Sequence, residues 1–175
     1  MRKETIAMTS LDRTIYRHVK RSYTTKELIE AYTPTEEERH YVETTARSPQ
    51  HRLNLMLWIK LFPCLGYFPS LDEIPPPLVT HLRQALDLAA DVIPGYDHDR
   101  TLYRHHQLVR EYYQIIPYGK DARRVALRTI LRAIRTMDNP ADLINAAIDE
   151  LIKQRYELPA FSTLDRLVGR VRTLV

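Results

Sequence analysis

The sequence has little that would crosslink the chain, cradle a phosphate in a loop or insert into a membrane. Cys64 is the single cysteine, which excludes an intrachain disulfide, and only four glycines occur, with no glycine-rich phosphate loop. No run of 18 apolar residues is present, so a membrane-spanning helix is excluded. The N-terminus also lacks the apolar core of a signal peptide. We therefore expect a protein of the reducing cytoplasm.

Strict alternation of apolar and polar residues, the pattern of a β-strand, is also missing. Apolar residues instead recur at helical spacing, and the 11 prolines fall near the boundaries of these segments. The sequence therefore predicts an all-α fold of about eight helices, with an order compatible with a helix-turn-helix. The predicted helices cover residues 26–32, 34–47, 49–62, 77–88, 100–114, 118–136, 140–154 and 163–175.

Local signals predict where several of these helices begin and end. Thr24 and Glu27 have the spacing of a capping box, and Thr33 is expected to cap the second helix. Pro63 is expected to end the third helix, because proline cannot continue the hydrogen-bond ladder. Ser162 is expected to cap the last helix.

A break in the helical pattern at Pro94-Gly95 predicts a boundary between two small lobes. Residues 1–93 would form a basic N-terminal arm and a first helical lobe. Residues 94–175 would form a second helical lobe. Each lobe is expected to contribute to one extended binding surface.

Positive charge is unevenly distributed along the chain. Residues 1–96 carry twelve Lys/Arg and twelve Asp/Glu side chains, whereas residues 97–175 carry fourteen and ten. Within the first part, residues 1–26 carry seven basic and two acidic side chains. The net charge of +4 is thus concentrated in an N-terminal arm and in the second half, as in a nucleic-acid footprint.

Residues 118–136 concentrate this charge on one amphipathic helix. Leu127, Ile130, Leu131 and Ile134 recur at i, i+3, i+4 and i+7, which predicts a buried stripe. Beside it runs a stripe of one sign, and between residues 123 and 135 no carboxylate neutralises it. The basic stripe comprises Lys120, Arg124, Arg128, Arg132 and Arg135, with Arg123 at its side.

Such a stripe indicates a negatively charged partner, because solvated helix faces usually mix both signs. Phosphate is the best match, since guanidinium keeps its charge and fits the phosphate oxygens. The interpretation that follows is binding to double-stranded DNA. Three alternatives to DNA binding stay open: a solubilising face, a face paired with acids elsewhere in the fold, and a protein–protein adaptor for an acidic partner. If the chain binds DNA, a stand-alone DNA-binding regulator is a further alternative.

Further basic and polar residues are candidates for DNA contact outside this helix. Two lie on the preceding predicted helix, two open the third helix, and two belong to the N-terminal arm, where they can follow a phosphate backbone. These candidates are Arg104 and Arg110, Gln50 and Arg52, and Lys20 and Arg21.

The sequence contains no arrangement of residues that predicts catalysis or a cofactor. His105 and His106 are adjacent, so they point about 100° apart on a helix, and no cysteine or carboxylate stands at ligand spacing. Cys64 has no visible base beside it. We therefore expect no metal, no cofactor and no enzymatic activity in this chain.

Several segments, in their order and spacing, resemble the N-terminal region of the large replicative transposases of the Tn-three family. The resemblance extends from about residue 12 to about residue 171. Around Pro63-Cys64-Leu65 the sequence departs from the family, whose members tend to continue the helix. The matching segments are EAYTPTEEERHYV, HRLNLMLWIKLFPCLGYFP, IPPPLVTHLRQALDL, GYDHDRTLYRHHQLVREYY and ELPAFSTLDRLV.

The resemblance implies a helical region that binds the terminal inverted repeats of a transposon in the bacterial nucleoid. It also implies that the full enzyme continues into a metal-dependent nuclease domain with three catalytic carboxylates, none of which matches a position here. Self-association through that C-terminal part is a further expectation, and no catalytic residue is carried over.

Overall fold

The computed structural model describes residues 14–175, and this part of the chain is all-α, as predicted. Eight helices lie within it, together with a single isolated backbone bridge between Ile116 and Tyr156 and no extended strand. Its helices are α1 (Thr25–Glu27, continued by a π-helical turn, Leu28–Tyr32), α2 (Glu36–Thr45), α3 (Pro49–Leu65), α4 (Pro76–Ala85), α5 (Asp99–Tyr113), α6 (Lys120–Ala133), α7 (Pro140–Lys153) and α8 (Phe161–Leu174).

The described residues form two compact units. The first comprises residues 17–114, and the second comprises residues 115–175 together with residues 14–16. The division follows Gln114 instead of residue 93, so α5 belongs to the first unit and not to the second, where the sequence had placed it.

In the first unit, α3 is the central helix, and its side chains from Leu53 to Ile59 are all buried. The helix begins as predicted, because the Ser48 hydroxyl accepts a hydrogen bond from the backbone N–H of His51 (3.1 Å) and Pro49 occupies the first turn. It ends at Gly66, whose φ of 78° is the left-handed conformation that terminates many helices.

Pro63 does not end α3, contrary to the prediction. Proline has no N–H, so the carbonyl of Ile59, four residues earlier, loses its helical partner. The Tyr113 hydroxyl on α5 donates to this carbonyl instead (2.8 Å). A side chain distant in sequence therefore supplies the missing hydrogen bond, and the helix continues to Leu65.

Two predicted helix caps are displaced and others are confirmed. The capping box of Thr24 with Glu27 is present, and Asn139 caps α7. The second helix is capped by Thr35 and not by Thr33, because the capping box there is formed with Glu38. The last helix begins at Phe161, so Ser162 lies inside it and makes no cap.

In the second unit, α6, α7 and α8 pack against one another around an aliphatic core. α7 contributes the largest share of that core, including the buried Leu143, Ile144, Ala147, Ile148 and Leu151. The carbonyl of Ile116 also accepts from the backbone N–H of Glu157 (2.8 Å), which fixes the segment before α6 to the end of α7.

A short part of the expected N-terminal arm, residues 14–16, belongs to this second unit. Tyr16 is buried, its hydroxyl donates to the carbonyl of Pro159 (3.0 Å), and its ring meets that of Phe161 edge-on. The backbone N–H of Ile15 donates to the Asn145 side chain (2.8 Å). The earlier part of the arm, residues 1–13, lies outside the described residues.

Candidate nucleic-acid interface

The arginine-rich helix α6 is oriented by small residues. Ala122, Ala126, Ile130 and Ala133 recur at helical spacing and are buried, and this face packs on α7 and α8. On the other side of the helix at 100° per residue lie Lys120, Arg124, Arg128 and Arg132, whereas Arg123 lies beside the buried face; all five are exposed. The packing of α6 therefore fixes the direction in which its arginines project.

The predicted buried stripe on α6 is only partly correct. Ile130 is buried, but Leu127 is 36% exposed and Leu131 is 44% exposed. The prediction placed the largest apolar residues inside, whereas the alanines allow the neighbouring helices to approach on the adjacent face. Leu127 and Leu131 thus share the exposed face with the arginines.

Most of the predicted basic stripe has no acidic neighbour. Arg124 forms an ion pair with Asp121 (3.0 Å), in which both side chains are exposed, so the pair contributes little to stability. The other basic side chains of the predicted stripe and its flank, of which Arg135 lies just after α6, are exposed and make no ion pair with any residue between 14 and 175. These are Lys120, Arg123, Arg128, Arg132 and Arg135.

The second unit also contains a basic pocket that sequence reasoning missed. It is a cavity of about 320 Å³ lined by Tyr118, Arg123, Arg166 and Arg170, together with Thr163 and Leu167. Arg123 comes from α6, whereas Arg166 and Arg170 lie one turn apart on α8. This i, i+4 spacing on α8 repeats the spacing of the α6 arginines, and it was the available signal in the sequence.

Tyr118 is the unusual member of this basic pocket. Its hydroxyl is buried and has no hydrogen-bond partner. Burial raises the pKa of Tyr118, and the nearby positive charge of Arg123 opposes this rise. An unpartnered buried hydroxyl costs free energy, so it marks a position where a bound acceptor would be favourable.

Two of the predicted contact residues lie on α5 in the first unit. Arg104 is exposed, as a contact residue should be. Arg110 is half-buried, with its guanidinium carbon 5.2 Å from the centre of the Phe68 ring, a cation–π contact. Arg110 therefore has a packing role in the first unit, whatever else it contacts.

The remaining predicted contact residues mostly hold local structure. Gln50 donates to the carbonyl of Ile93 (3.1 Å), and Arg52 donates through Nε to the carbonyl of Ala46 at the end of α2 (3.0 Å). The ammonium group of Lys20 pairs with Glu27. Arg21 is exposed and makes no ion pair with another described residue.

Between residues 14 and 175, no three His, Cys, Asp or Glu side chains are grouped so that they can hold a metal ion. Within the same residues, no helix is both long enough and apolar enough to cross a membrane.

Comparison with known proteins places this architecture in a family. The model of a family described as Domain of unknown function (DUF4158) matches residues 8–171. Over 122 residues, the chain is also 27% identical to the transposase for transposon Tn501 of Pseudomonas aeruginosa. That alignment covers 69% of this chain but 12% of the transposase. Because the family model covers most of the sequence, this chain belongs to the DUF4158 family, and part of it is related in sequence to a transposase.

Proposed function

We propose that this chain binds double-stranded DNA at the terminal inverted repeats of a transposon, as the N-terminal part of a transposase. The observation that carries the proposal is the exposed surface of α6, where Arg123, Arg128 and Arg132 have no acidic partner among the described residues. The similarity to a transposase supports the same conclusion from a separate direction.

The binding chemistry follows from the geometry of the second unit. Arginine side chains neutralise backbone phosphates and release condensed counterions, so they supply affinity that depends steeply on salt. The basic pocket extends this surface from α6 to α8 and adds the Tyr118 hydroxyl as a donor to a phosphate oxygen. Sequence preference would come from arginines of α6 that reach base edges, where arginine most often reads guanine.

In this proposal the chain recognises DNA and does not cut it. Metal-dependent strand cleavage needs paired ions held by oxygen ligands, and the described residues contain no candidate group of ligands. The purified chain should therefore leave an inverted-repeat duplex intact in magnesium or manganese. Nicking that disappears when one of the chain's own carboxylates is replaced would contradict this part of the proposal.

The test of the proposed function is a binding comparison on two duplexes. One duplex carries the inverted repeat of the transposon that encodes the chain, and the other carries the same bases in shuffled order. Fluorescence anisotropy should show binding to both, tighter binding to the repeat, and a decline of both affinities as salt rises. Absence of binding to either duplex at low salt would overturn the proposal.

A protein–protein adaptor is the second candidate function, and the exposed Leu127 and Leu131 favour it. Apolar side chains between arginines on one helix face suit an acidic amphipathic partner. Replacing both leucines by glutamine separates the candidates. DNA binding through phosphates should be retained in this variant, whereas an adaptor would lose its apolar contacts.

A further inference from the structure

A second basic cavity lies entirely within the first unit, remote in sequence from α6. It measures about 550 Å³ and opens between the end of α2, the start of α3 and the first half of α5. Three arginines and two histidines line it: Arg47, Arg100, Arg104, His51 and His105. We call it the α5 hollow.

Charge is segregated around the α5 hollow. Residues 17–114 carry twelve Lys/Arg and thirteen Asp/Glu side chains, so acids are not scarce in this unit. None of the residues lining the hollow is acidic, and its three arginines make no ion pair with another described residue. Acids of the same unit do pair elsewhere, as Glu38 does with Lys60 (2.9 Å). The hollow therefore keeps three unneutralised guanidinium groups together, although like charges repel.

A hydrogen-bonded chain of aromatic side chains orients one wall of the hollow. Trp58 donates through Nε1 to the Tyr96 hydroxyl (2.9 Å), which lies 2.7 Å from Nδ1 of His105. Indole can only donate, so the Tyr96 hydroxyl accepts from Trp58 and donates its own proton to Nδ1. In the tautomer in which the Tyr96 hydroxyl donates to Nδ1, the neutral His105 ring carries its proton on Nε2, where it is a donor.

The protonation state of His105 agrees with this arrangement. Burial, together with the nearby positive charges of His51 and Arg104, lowers the pKa of His105 to about 4. At neutral pH the ring is therefore uncharged. The His51 ring packs edge-on against it, with centroids 5.4 Å apart, which limits the rotation of both rings. The His105 ring is therefore held in place before any ligand arrives.

We propose that the α5 hollow binds a phosphate group, either a diester of a nucleic-acid backbone or the monoester of a free nucleotide. Guanidinium groups match phosphate oxygens in pairs, and Nε2–H of His105 adds a neutral donor. This site does not depend on α6, so DNA binding by the second unit can fail while phosphate binding here holds.

The test titrates the full chain with inorganic phosphate and follows the side-chain NMR signals of His51, His105 and Arg47. These signals should shift in a saturable way. Arg104→Gln should weaken the binding about tenfold, because a charged hydrogen-bond partner is lost. Lys26→Gln removes the same charge from an exposed side chain of α1 in the same unit, and it should leave the titration unchanged.

Two further titrations distinguish the sources of phosphate. A backbone source predicts that Arg104→Gln weakens duplex binding more than Lys26→Gln does and reduces its salt slope by roughly 0.9. A nucleotide source predicts that thymidine monophosphate binds more tightly than inorganic phosphate, with duplex binding unaffected by Arg104→Gln. Either result supports a phosphate site. The proposal is overturned if none of the three ligands shifts the signals of the hollow, or if Arg104→Gln matches Lys26→Gln throughout.

Discussion

The two units of this chain present positive charge in different ways. The first, residues 17–114, carries one more acid than base, yet it gathers three arginines in the α5 hollow. The second, residues 115–175, carries eleven basic and seven acidic side chains and spreads its arginines over α6 and α8. Net charge alone identifies only the second unit as a surface for phosphate. The positions of the arginines relative to the acidic side chains identify a candidate phosphate surface in each of the two units.

The interiors of the two units differ as well. The first unit buries polar side chains in hydrogen bonds, including Asn54, which is fully buried, and His105. It also contains Trp58, the only tryptophan, and all seven histidines of the chain. The core of the second unit is almost entirely aliphatic. Stability of the first unit should therefore depend on specific hydrogen bonds and on pH, and stability of the second mainly on packing.

The largest effect on stability is expected when the first unit is truncated after residue 93, the boundary predicted from the sequence. A fragment of residues 17–114 should unfold cooperatively, whereas residues 17–93 should not, because α5 supplies the buried Val109 and the Tyr113 hydrogen bond to α3. Urea denaturation followed by Trp58 fluorescence measures both. Cooperative unfolding of 17–93 with an unchanged midpoint would show that α5 is not part of this unit.

Acid should destabilise the first unit selectively. Burial lowers the pKa of His105 and of His106 to about 4 each, below the unfolded value of about 6.5. The stability that these two neutral histidines contribute is fully present above the unfolded pKa. It is lost as pH falls from about 6.5 to about 4, because the unfolded chain then binds protons that the folded unit excludes. Each histidine should lower the free energy of unfolding by up to about 1.4 kcal/mol per pH unit in that range.

Denaturation monitored by Trp58 at several pH values checks this slope. His105→Gln should flatten it, whereas His98→Gln, at an exposed position, should not. Residues 115–175 contain no histidine, so the helical signal of that fragment should be insensitive to the same change. If acid destabilised the two units equally, the buried histidines would not be the cause of the acid sensitivity of the first unit.

A smaller loss of stability is expected when the two hydrogen bonds between the Asn54 side chain and the Gly95 backbone are removed. The Asn54 side chain donates to the Gly95 carbonyl (2.6 Å) and accepts from its N–H (3.0 Å). Asn54→Ala leaves both backbone groups without partners and should lower the free energy of unfolding by about 1–3 kcal/mol. Gln50→Ala, one helical turn earlier, removes a single exposed hydrogen bond and should cost less than about 1 kcal/mol. Equal losses would mean that burial of Asn54 is unimportant.

Tyr118→Phe in the second unit is expected to have the smallest effect. It should leave stability unchanged or raise it, and it should lower the affinity for duplex DNA. The hydroxyl is buried without a partner, so its removal should leave stability unchanged or raise it by up to about 1 kcal/mol. If the hydroxyl donates to phosphate in the complex, duplex affinity should fall by about tenfold or less. Thermal unfolding and anisotropy on one preparation measure both. Lower stability without loss of affinity would exclude a ligand role for this hydroxyl.

Features set by neighbouring residues were predictable from the sequence. The all-α fold follows from the helical spacing of apolar residues. The starts of α3 and α7 follow from Ser48-Pro49 and Asn139-Pro140, where the cap and the first turn are local. The exposure of Arg128 and Arg132 follows from the one-sided charge of their helix.

Features set by distant partners were not predictable. Pro94-Gly95 has the composition of a boundary, but Asn54 binds Gly95 from another helix, so the segment stays within the first unit. The continuation of α3 through Pro63 depends on Tyr113, and the displaced core face of α6 depends on helices that follow it. Both basic cavities likewise join residues that are far apart in the sequence.

Binding of DNA phosphates by α6 can be measured directly from the salt dependence of duplex binding in two charge-matched variants. One replaces Arg128 and Arg132 by glutamine, and the other replaces the exposed Lys26 and Lys153. Binding should be weaker for the α6 variant at every salt concentration. Its slope of log K against log salt should also be shallower by roughly 0.9 for each lost phosphate contact. If both variants bind with the same affinity and slope, α6 is not the DNA-binding surface.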